Sequence, residues 1–186
     1  MIFSKKIIFL FILIHIFFCF GSQDCCQANS VQEDQIKAVF IFNLMNFITW
    51  PDRSFSGKND NIKVGVIGNN RLGTILKKVV SEELIQGRKI KMTLNEDSLN
   101  LCDYHLIFIS STKKMIQNLK RIRNKNCSFL TVGDASDFVH KGGIISLVRE
   151  DKRIRVEINA ALAKKARIKI SSKLMRISTI INRKIP

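Results

Sequence analysis

The residues that could carry chemistry in this 186-residue chain are three histidines, five cysteines and a few paired carboxylates. The histidines, His15, His105 and His140, are far apart in sequence, and no G-x-S-x-G elbow presents a serine nucleophile. Neither a C-x-x-C pair nor a histidine cluster offers ligands for zinc. The patterns favour neither a catalytic triad nor a metal site, so we predict no enzymatic activity and no bound metal.

A glycine-bearing loop, VIGNNRLG over residues 66–73, invites comparison with nucleotide-binding turns. The nearby glycines are Gly65, Gly68 and Gly73, whereas a dinucleotide-binding turn requires G-x-G-x-x-G. A plain turn between a strand and a helix explains the loop better, and we predict no cofactor. The carboxylate pairs, Asp134 with Asp137 and Glu150 with Asp151, fit loop capping and a hairpin turn.

The elements that would position any site alternate between strands and helices. Apolar runs at 62–68, 104–110 and 128–133 indicate buried strands, and amphipathic segments between them indicate helices. The pattern of residues 143–159 is typical of a hairpin, and two helical patterns follow, at 160–167 and from Ser171 or Ser172 onward. We predict an α/β fold, with a mostly parallel sheet flanked by helices and a C-terminal antiparallel hairpin.

The first helix is predicted to begin at a Ser30 cap and to end before Trp50, because the following proline disfavours a helical residue there. Its apolar stripe would include Ile36 and Val39, with Asn43 as a polar exception. We expect Asn43 to satisfy buried backbone groups or, alternatively, to line a pocket. We expect Trp50 to plug the core or, alternatively, to anchor a ligand or partner.

The second strand of the hairpin alternates apolar and polar residues. Ile154, Val156 and Ile158 would face the core. By the same parity, Glu157 and Asn159 would face solvent, which makes them candidate contacts for a partner.

The first residues are typical of a secretory signal peptide. Two lysines precede an apolar run over residues 7–20, and Cys19 and Gly21 are small enough for a cleavage site after Gly21. The run is short for a membrane-spanning helix, which needs about 20 residues. We therefore predict a signal peptide over residues 1–21, a lead-in over 22–35 and one domain over 36–186, exported from the cytoplasm.

Cysteine placement predicts one disulfide. Four cysteines would remain after cleavage, and Cys102 and Cys127 each precede a predicted buried strand. If those strands are parallel neighbours, their starting ends lie within the usual Cα separation of a disulfide. We predict a Cys102–Cys127 bridge, with two free buried thiols as the alternative, and leave the role of Cys25 and Cys26 open.

The charge of the chain is strongly positive and uneven. The formal net charge is +16, and residues 141–186 hold 13 basic side chains against three acidic ones. That region has no aromatic side chain that could stack on bases, which argues against nucleic acid as a partner. We expect this charge to contact an acidic protein or an anionic membrane surface.

Several segments, taken in order, resemble the YfiR family of periplasmic regulators. KAVFIFNLMNFITWPDRSF resembles the first helix of that family, which is closed by an aromatic run and Trp-Pro. KVGVIG, CDYHLIFIS and FLTVGD are similar to its strands, and GGIISLVREDKRIRVEINAALAKKARIKISSKLMRIS is similar to its carboxyl-terminal block. The similarity begins at Ile36 and covers nearly all of the predicted domain.

This resemblance implies a regulatory protein that is not an enzyme. The best-understood type of the family represses an inner-membrane diguanylate cyclase by binding its periplasmic domain, which lowers cyclic-di-GMP. The alternative is a ligand-sensing subunit that serves a histidine kinase or an outer-membrane receptor. The identity of the partner and the oligomeric state are left open, a homodimer included.

Overall fold

The structure is a computed structural model, and it describes residues 24–57, 59–94, 101–110, 115–123, 127–151 and 153–182. The predicted signal peptide over residues 1–21 lies outside the described residues, and so do the side chains of Cys25 and Cys26. None of the helices within these ranges is long and apolar enough to span a membrane.

Helices and strands alternate along most of the described chain. The helices are α1 (Asp24–Met45), α2 (Asn70–Val79), α3 (Met115–Arg123), α4 (Ala160–Lys165) and α5 (Ser172–Arg176). The strands are β1 (Ile48–Thr49), β2 (Ile62–Ile67), β3 (Leu84–Ile85), β4 (Arg88–Leu94), β5 (Leu106–Ile109), β6 (Leu130–Gly133), β7 (Ile145–Glu150), β8 (Arg153–Asn159), β9 (Lys169–Ile170) and β10 (Thr179–Ile181). Short 3₁₀ turns cover Asp52–Ser54 and Leu101–Asp103.

The described strands form one eight-stranded sheet and one small ladder. The order across the sheet is β10-β8-β7-β6-β5-β2-β4-β3. The pairs from β7 through β6, β5 and β2 to β4 are parallel, whereas β7 and β8 form an antiparallel hairpin. The prediction of an α/β fold with a mostly parallel sheet and a C-terminal hairpin is confirmed. Strands β1 and β9 pair separately and tie the end of α1 to the segment after α4.

Helices cover both faces of the sheet. On one face, buried residues such as Ile41 of α1 and Leu72 of α2 belong to the same apolar cluster as Phe108 of β5. On the other face, Leu119 of α3 belongs to a second cluster with Ile107. Adjacent residues of β5 thus enter different clusters, because successive side chains of a strand point to opposite faces.

Helix α1 differs from the prediction in its start and in the side that it buries. It begins at Asp24, so Ser30 is an interior residue rather than the cap, and the predicted domain boundary at residue 36 falls inside the helix. Ile36 and Val39 are 48% and 47% exposed, and the buried side carries Asp34, Lys37, Ala38, Ile41, Leu44 and Met45. The helix carries apolar residues on its exposed side as well as on its buried side, so the apolar pattern alone did not determine which side is buried.

The long helix predicted from Ser171 or Ser172 onward is wrong beyond Arg176. Ser171 does cap α5, since its Oγ accepts the backbone N–H of Lys173 at 3.3 Å. The β-branched residues Thr179–Ile181 then form β10, which pairs in parallel with β8. Such residues fit a half-buried pleated edge better than a helix, and pairing with β8 satisfies the backbone groups that face it.

Candidate functional site

The starting ends of β2, β5 and β6 meet the segment that follows α1. Trp50 lies there with only 3% of its surface exposed, and its Nε1 donates a 2.8 Å hydrogen bond to the backbone carbonyl of His105. The indole stands edge-on to the His105 imidazole, with ring centroids 6.0 Å apart. Trp50 therefore plugs the core and fixes the start of β5, which is the first of the two roles expected for it.

His105 joins two other segments through its ring. Its Nδ1 accepts the backbone N–H of Lys63 at 3.0 Å, and its Nε2 lies 2.9 Å from the carbonyl oxygen of Ser54. A backbone N–H can only donate and a carbonyl can only accept, so the ring carries its proton on Nε2. Phe55 stacks on the imidazole with centroids 4.4 Å apart. The imidazole is thereby held as a neutral structural group.

Burial is the main influence on the titration of His105. It lowers the pKa of the imidazole below its ordinary value of 6.5, and the nearby positive charges of Lys63 and Arg88 act in the same direction. The hydrogen bond to Ser54 and the charge of Asp60 oppose that shift only in part. The neutral form is the one that fits the surrounding hydrogen bonds.

The loop ahead of β2 is braced by Arg88 and Asp60. The Arg88 guanidinium lies 3.9 Å from the Phe55 ring centroid and donates to the carbonyls of Gly57 and Asp60. The Asp60 carboxylate accepts the backbone N–H groups of Ser56 and Gly57, and these bonds lower the pKa of Asp60. The carboxylate of Asp60 therefore forms its hydrogen bonds within its own loop.

A cleft of about 450 Å³ opens between this loop and the strand ends. Part of its wall is the disulfide between Cys102 and Cys127, whose Cα atoms are 5.3 Å apart. The pairing agrees with the sequence prediction, because β5 and β6, which follow the two cysteines, are parallel neighbours. Its charged lining residues are two cations, Arg53 and Lys63, and two carboxylates, Asp60 and Asp103. This cleft is a candidate for a small-molecule site in the described part of the chain.

Two of the other predicted site residues lie elsewhere than expected. Asn43 is exposed, so the expectation that it lies on the buried stripe of α1 is wrong. Asn159 is fully buried, which contradicts its predicted place on the wet face of the hairpin. Its Oδ1 accepts the backbone N–H of Leu162 and caps α4, and its Nδ2 reaches the carbonyl of Val139 at 3.4 Å. Parity fails at Asn159 because the segment around Val139 covers this end of the strand.

Glu157 is less exposed than Asn43 and less buried than Asn159. It is half-buried on β8, opposite Ser146 of β7. Its Oε2 atom is buried and has no hydrogen-bond partner among the described residues. The structure does not bring Asn43, Trp50, Glu157 and Asn159 together into one site.

Sequence reasoning missed a partly buried ion cluster at the carboxyl end of β6, where Asp134 follows the strand. Lys37 Nζ lies 2.7 Å from Glu33 Oε1 and 3.0 Å from Asp134 Oδ2, and Arg149 contacts the other oxygen of Glu33 at 2.5 Å. Burial alone would lower the pKa of Lys37, but the hydrogen bonds and charges of Glu33 and Asp134 raise it above its usual 10.5. Glu33 and Lys37, which lie one turn apart in α1, were the available signal.

The sheet edge formed by β10 is surrounded by positive charge. Ile177, just before this strand, is 75% exposed, and Lys173 and Arg176 beside it are exposed as well. The other exposed basic residues of the last 30 described positions are Arg153, Arg155, Lys164, Lys165, Arg167 and Lys169. Among the residues that the structure describes, no group of three or more His, Cys, Asp or Glu side chains could hold a metal ion.

The sequence pattern of the YfiR/HmsC-like family matches residues 34–179. The chain belongs to this family. Membership supports a periplasmic regulatory role in cyclic-di-GMP signalling in general. The Cys102–Cys127 disulfide is consistent with that oxidising compartment.

Two solved structures are similar over part of the chain. A conserved domain protein from Vibrio cholerae O1 biovar El Tor shares 15% identity, with a TM-score of 0.49 over 64% of this chain and 54% of that one. The ABC domain from Streptococcus pneumoniae, solved in complex with L-Trp, shares 10% identity, with a TM-score of 0.46 over 64% and 55%. This chain therefore spans little more than half the length of either. No curated protein matches the sequence.

Proposed function

We propose that this protein represses an inner-membrane diguanylate cyclase by binding the periplasmic domain of that enzyme, so that cyclic-di-GMP falls. The observation that carries the proposal is the family match over residues 34–179, which covers most of the chain. In this proposal the protein acts by binding and not by catalysis.

Repression by binding sets an energetic requirement. The protein must bind the inactive conformation of the cyclase more tightly than the active one, because equal affinity for both would shift nothing. A tenfold preference corresponds to a difference of about 1.4 kcal/mol between the binding free energies for the two conformations.

The basic surface around β10 is the contact that we propose for the partner. Ile177 offers an exposed apolar side chain, and Lys173 and Arg176 surround it with positive charge. An acidic periplasmic domain would be drawn to this surface by long-range attraction, which salt screens over about 8 Å at physiological ionic strength. Glu157 remains a lesser candidate contact, because it is only half-buried.

A second candidate function is a ligand-sensing subunit for a histidine kinase or an outer-membrane receptor. The cleft of about 450 Å³ at the strand ends favours it, since ligand pockets commonly have volumes of about 300–1,000 Å³.

Capture from solubilised membranes of the native organism separates the two functions. The tagged protein should retain a diguanylate cyclase without any added ligand, and less of it as salt rises. The double variant K173Q/R176Q should retain less cyclase than K89Q/K91Q, a control that removes the same charge from exposed lysines of β4. Retention of a kinase or receptor in place of the cyclase would favour the sensing function.

A further inference from the structure

Strand β10 forms one edge of the eight-stranded sheet. It pairs in parallel with β8 on one side, and the described residues place no strand on its other side. An edge strand presents backbone N–H and C=O groups that can pair with an extended segment of another chain. The edge therefore offers a contact of defined geometry within the basic surface around β10.

The register shows which backbone groups of β10 face outward. The N–H of Asn159 donates a 2.8 Å hydrogen bond to the carbonyl of Ile144, which directly precedes β7. Backbone groups alternate in direction along a strand, so those of Ile158 face β10. Ile158 lies opposite Ile180, and in a parallel pair it bonds the residues on either side of Ile180 rather than Ile180 itself. The N–H and C=O of Ile180 consequently point away from β8, towards the edge.

The side chains around this edge favour a segment with acidic residues. Lys173 and Arg176 of α5 are exposed just before β10. Lys164 and Lys165 are exposed on α4, which packs against β10. No Asp or Glu occurs after Glu157 in the sequence, so this part of the chain brings no carboxylate side chain of its own to these cations. A partner that supplies carboxylates would complement the charge at the edge.

A second copy of this chain suits the edge poorly. Two β10 strands paired edge to edge would bring the cations of both copies together, and charged side chains at a sheet edge oppose such pairing. A segment that alternates acidic and apolar residues would instead place carboxylates near these cations. Its apolar side chains could contact Ile177, which is 75% exposed beside the strand.

We propose that the β10 edge binds an extended acidic segment of the partner, which joins the sheet as a further strand and bonds the outward N–H and C=O of Ile180. This inference rests on the proposed function for the identity of the partner and adds the mode of contact. In strand addition, main-chain hydrogen bonds supply affinity and the flanking side chains supply selectivity. Removal of the outward N–H should therefore weaken binding although every charged side chain is kept.

The variants Ile180→Pro and Ile180→Ala form a matched pair. Both shorten the side chain, but alanine keeps the N–H, whereas proline removes it and is tolerated on an edge strand whose N–H faces solvent. In capture from solubilised membranes, I180P should retain about tenfold less cyclase than I180A. Thermal unfolding checks that both variants fold. Equal retention by the two variants would overturn strand addition and leave repression by binding intact, whereas no cyclase with any version would contradict the proposed function.

A peptide titration tests the edge without the membrane partner. The probe is a short synthetic peptide of alternating glutamate and valine, and the control peptide has lysine in place of each glutamate. Amide exchange of the exported protein is followed by NMR. The Ile180 amide should exchange rapidly in the free protein and at least about tenfold more slowly with the glutamate peptide, but not with the lysine peptide. K173Q/R176Q should weaken this protection, whereas K89Q/K91Q should not.

Other results of the titration would overturn the proposal. An Ile180 amide that is already protected in the free protein at low concentration would show that the chain itself covers the edge. Protection that rises with protein concentration, together with dimers in light scattering, would show that a second copy occupies it. Equal protection by the two peptides, or none with the glutamate peptide up to about 5 mM, would show that the edge does not select an acidic segment.

Discussion

The indole N–H of Trp50 and the backbone carbonyl of His105 are joined by a 2.8 Å hydrogen bond that spans 55 residues of sequence. The same carbonyl also accepts the backbone N–H of Leu130, at the start of the neighbouring strand. One oxygen atom therefore connects the segment after α1 to both β5 and β6. Trp50, which the sequence places just after the first helix, is thereby fixed to the starting ends of two neighbouring parallel strands.

Replacing Trp50 with phenylalanine should destabilise the fold. The substitution keeps an aromatic ring but removes the donor and part of the buried volume, so we expect a loss of about 1–3 kcal/mol. Urea denaturation followed by circular dichroism measures the change. Asn43→Ala, at an exposed position of α1, is the control and should alter stability by less than about 0.5 kcal/mol. Equal unfolding free energies for W50F and the unchanged protein would contradict the role given to this bond.

Acid should destabilise the protein through His105. Because burial lowers the pKa of this imidazole in the folded state, the unfolded chain binds the proton more readily. Its contribution to stability is therefore fully present above about pH 6.5, the ordinary histidine pKa, and is lost as the pH falls through the lower folded-state value.

The pH prediction is checked by measuring the unfolding free energy between about pH 5 and pH 7. His105→Gln should flatten the dependence on pH, whatever its effect on absolute stability. His140→Gln, at an exposed histidine, is the control variant. A slope that survives unchanged in H105Q would show that another group is responsible.

The disulfide should contribute measurably to stability. It closes a loop of 25 residues, for which chain entropy gives about 3 kcal/mol. The double variant C102S/C127S should lose about this amount in urea denaturation. Peptide mapping without reductant that finds Cys102 and Cys127 as free thiols in periplasmic protein would contradict the bridge.

Lys37 should matter far more to stability than an exposed cation. Its side chain is 8% exposed, and it pairs with the carboxylates of Glu33, 26% exposed, and Asp134, 10% exposed. Lys37→Met removes this partner from both carboxylates, at a cost of about 3 kcal/mol. Arg155, 65% exposed and paired with Glu150, is the matched control, and Arg155→Met should cost less than about 1 kcal/mol. Chemical denaturation of the two variants measures the difference in unfolding free energy. Similar losses of unfolding free energy in both variants would contradict the role given to the cluster.

The sequence predicted the sheet better than it predicted the candidate residues. Buried strands such as β5 are short, apolar and bounded by polar residues, and their order along the chain constrains the parallel sheet. Helix α1 was placed on the wrong side because Ile36 and Val39 are as apolar as the residues that it buries. Asn159 was misplaced because strand parity does not show which neighbouring segment covers a strand end.

The carboxyl-terminal segment and the cleft show a second limit of prediction from local sequence patterns. Ser171 was one of the two residues expected to cap α5, and it does so. The β-branched residues beyond Ile177 instead join the sheet through pairing with β8, a contact that no local pattern reveals. The cleft beside His105 is likewise made by loops from distant parts of the sequence. Residues that line it, Arg53 and Asp103 among them, carry no motif that would have brought them together.

The measurement that tests the central claim most directly is the cellular level of cyclic-di-GMP after deletion of the gene. The account predicts that deletion raises cyclic-di-GMP, and that the full chain restores the lower level. A version that lacks residues 1–21 should fail to restore it, because the protein would stay on the wrong side of the membrane. An unchanged level of cyclic-di-GMP, accompanied by a lost response of a neighbouring kinase or uptake receptor, would contradict repression and leave the sensing function in its place.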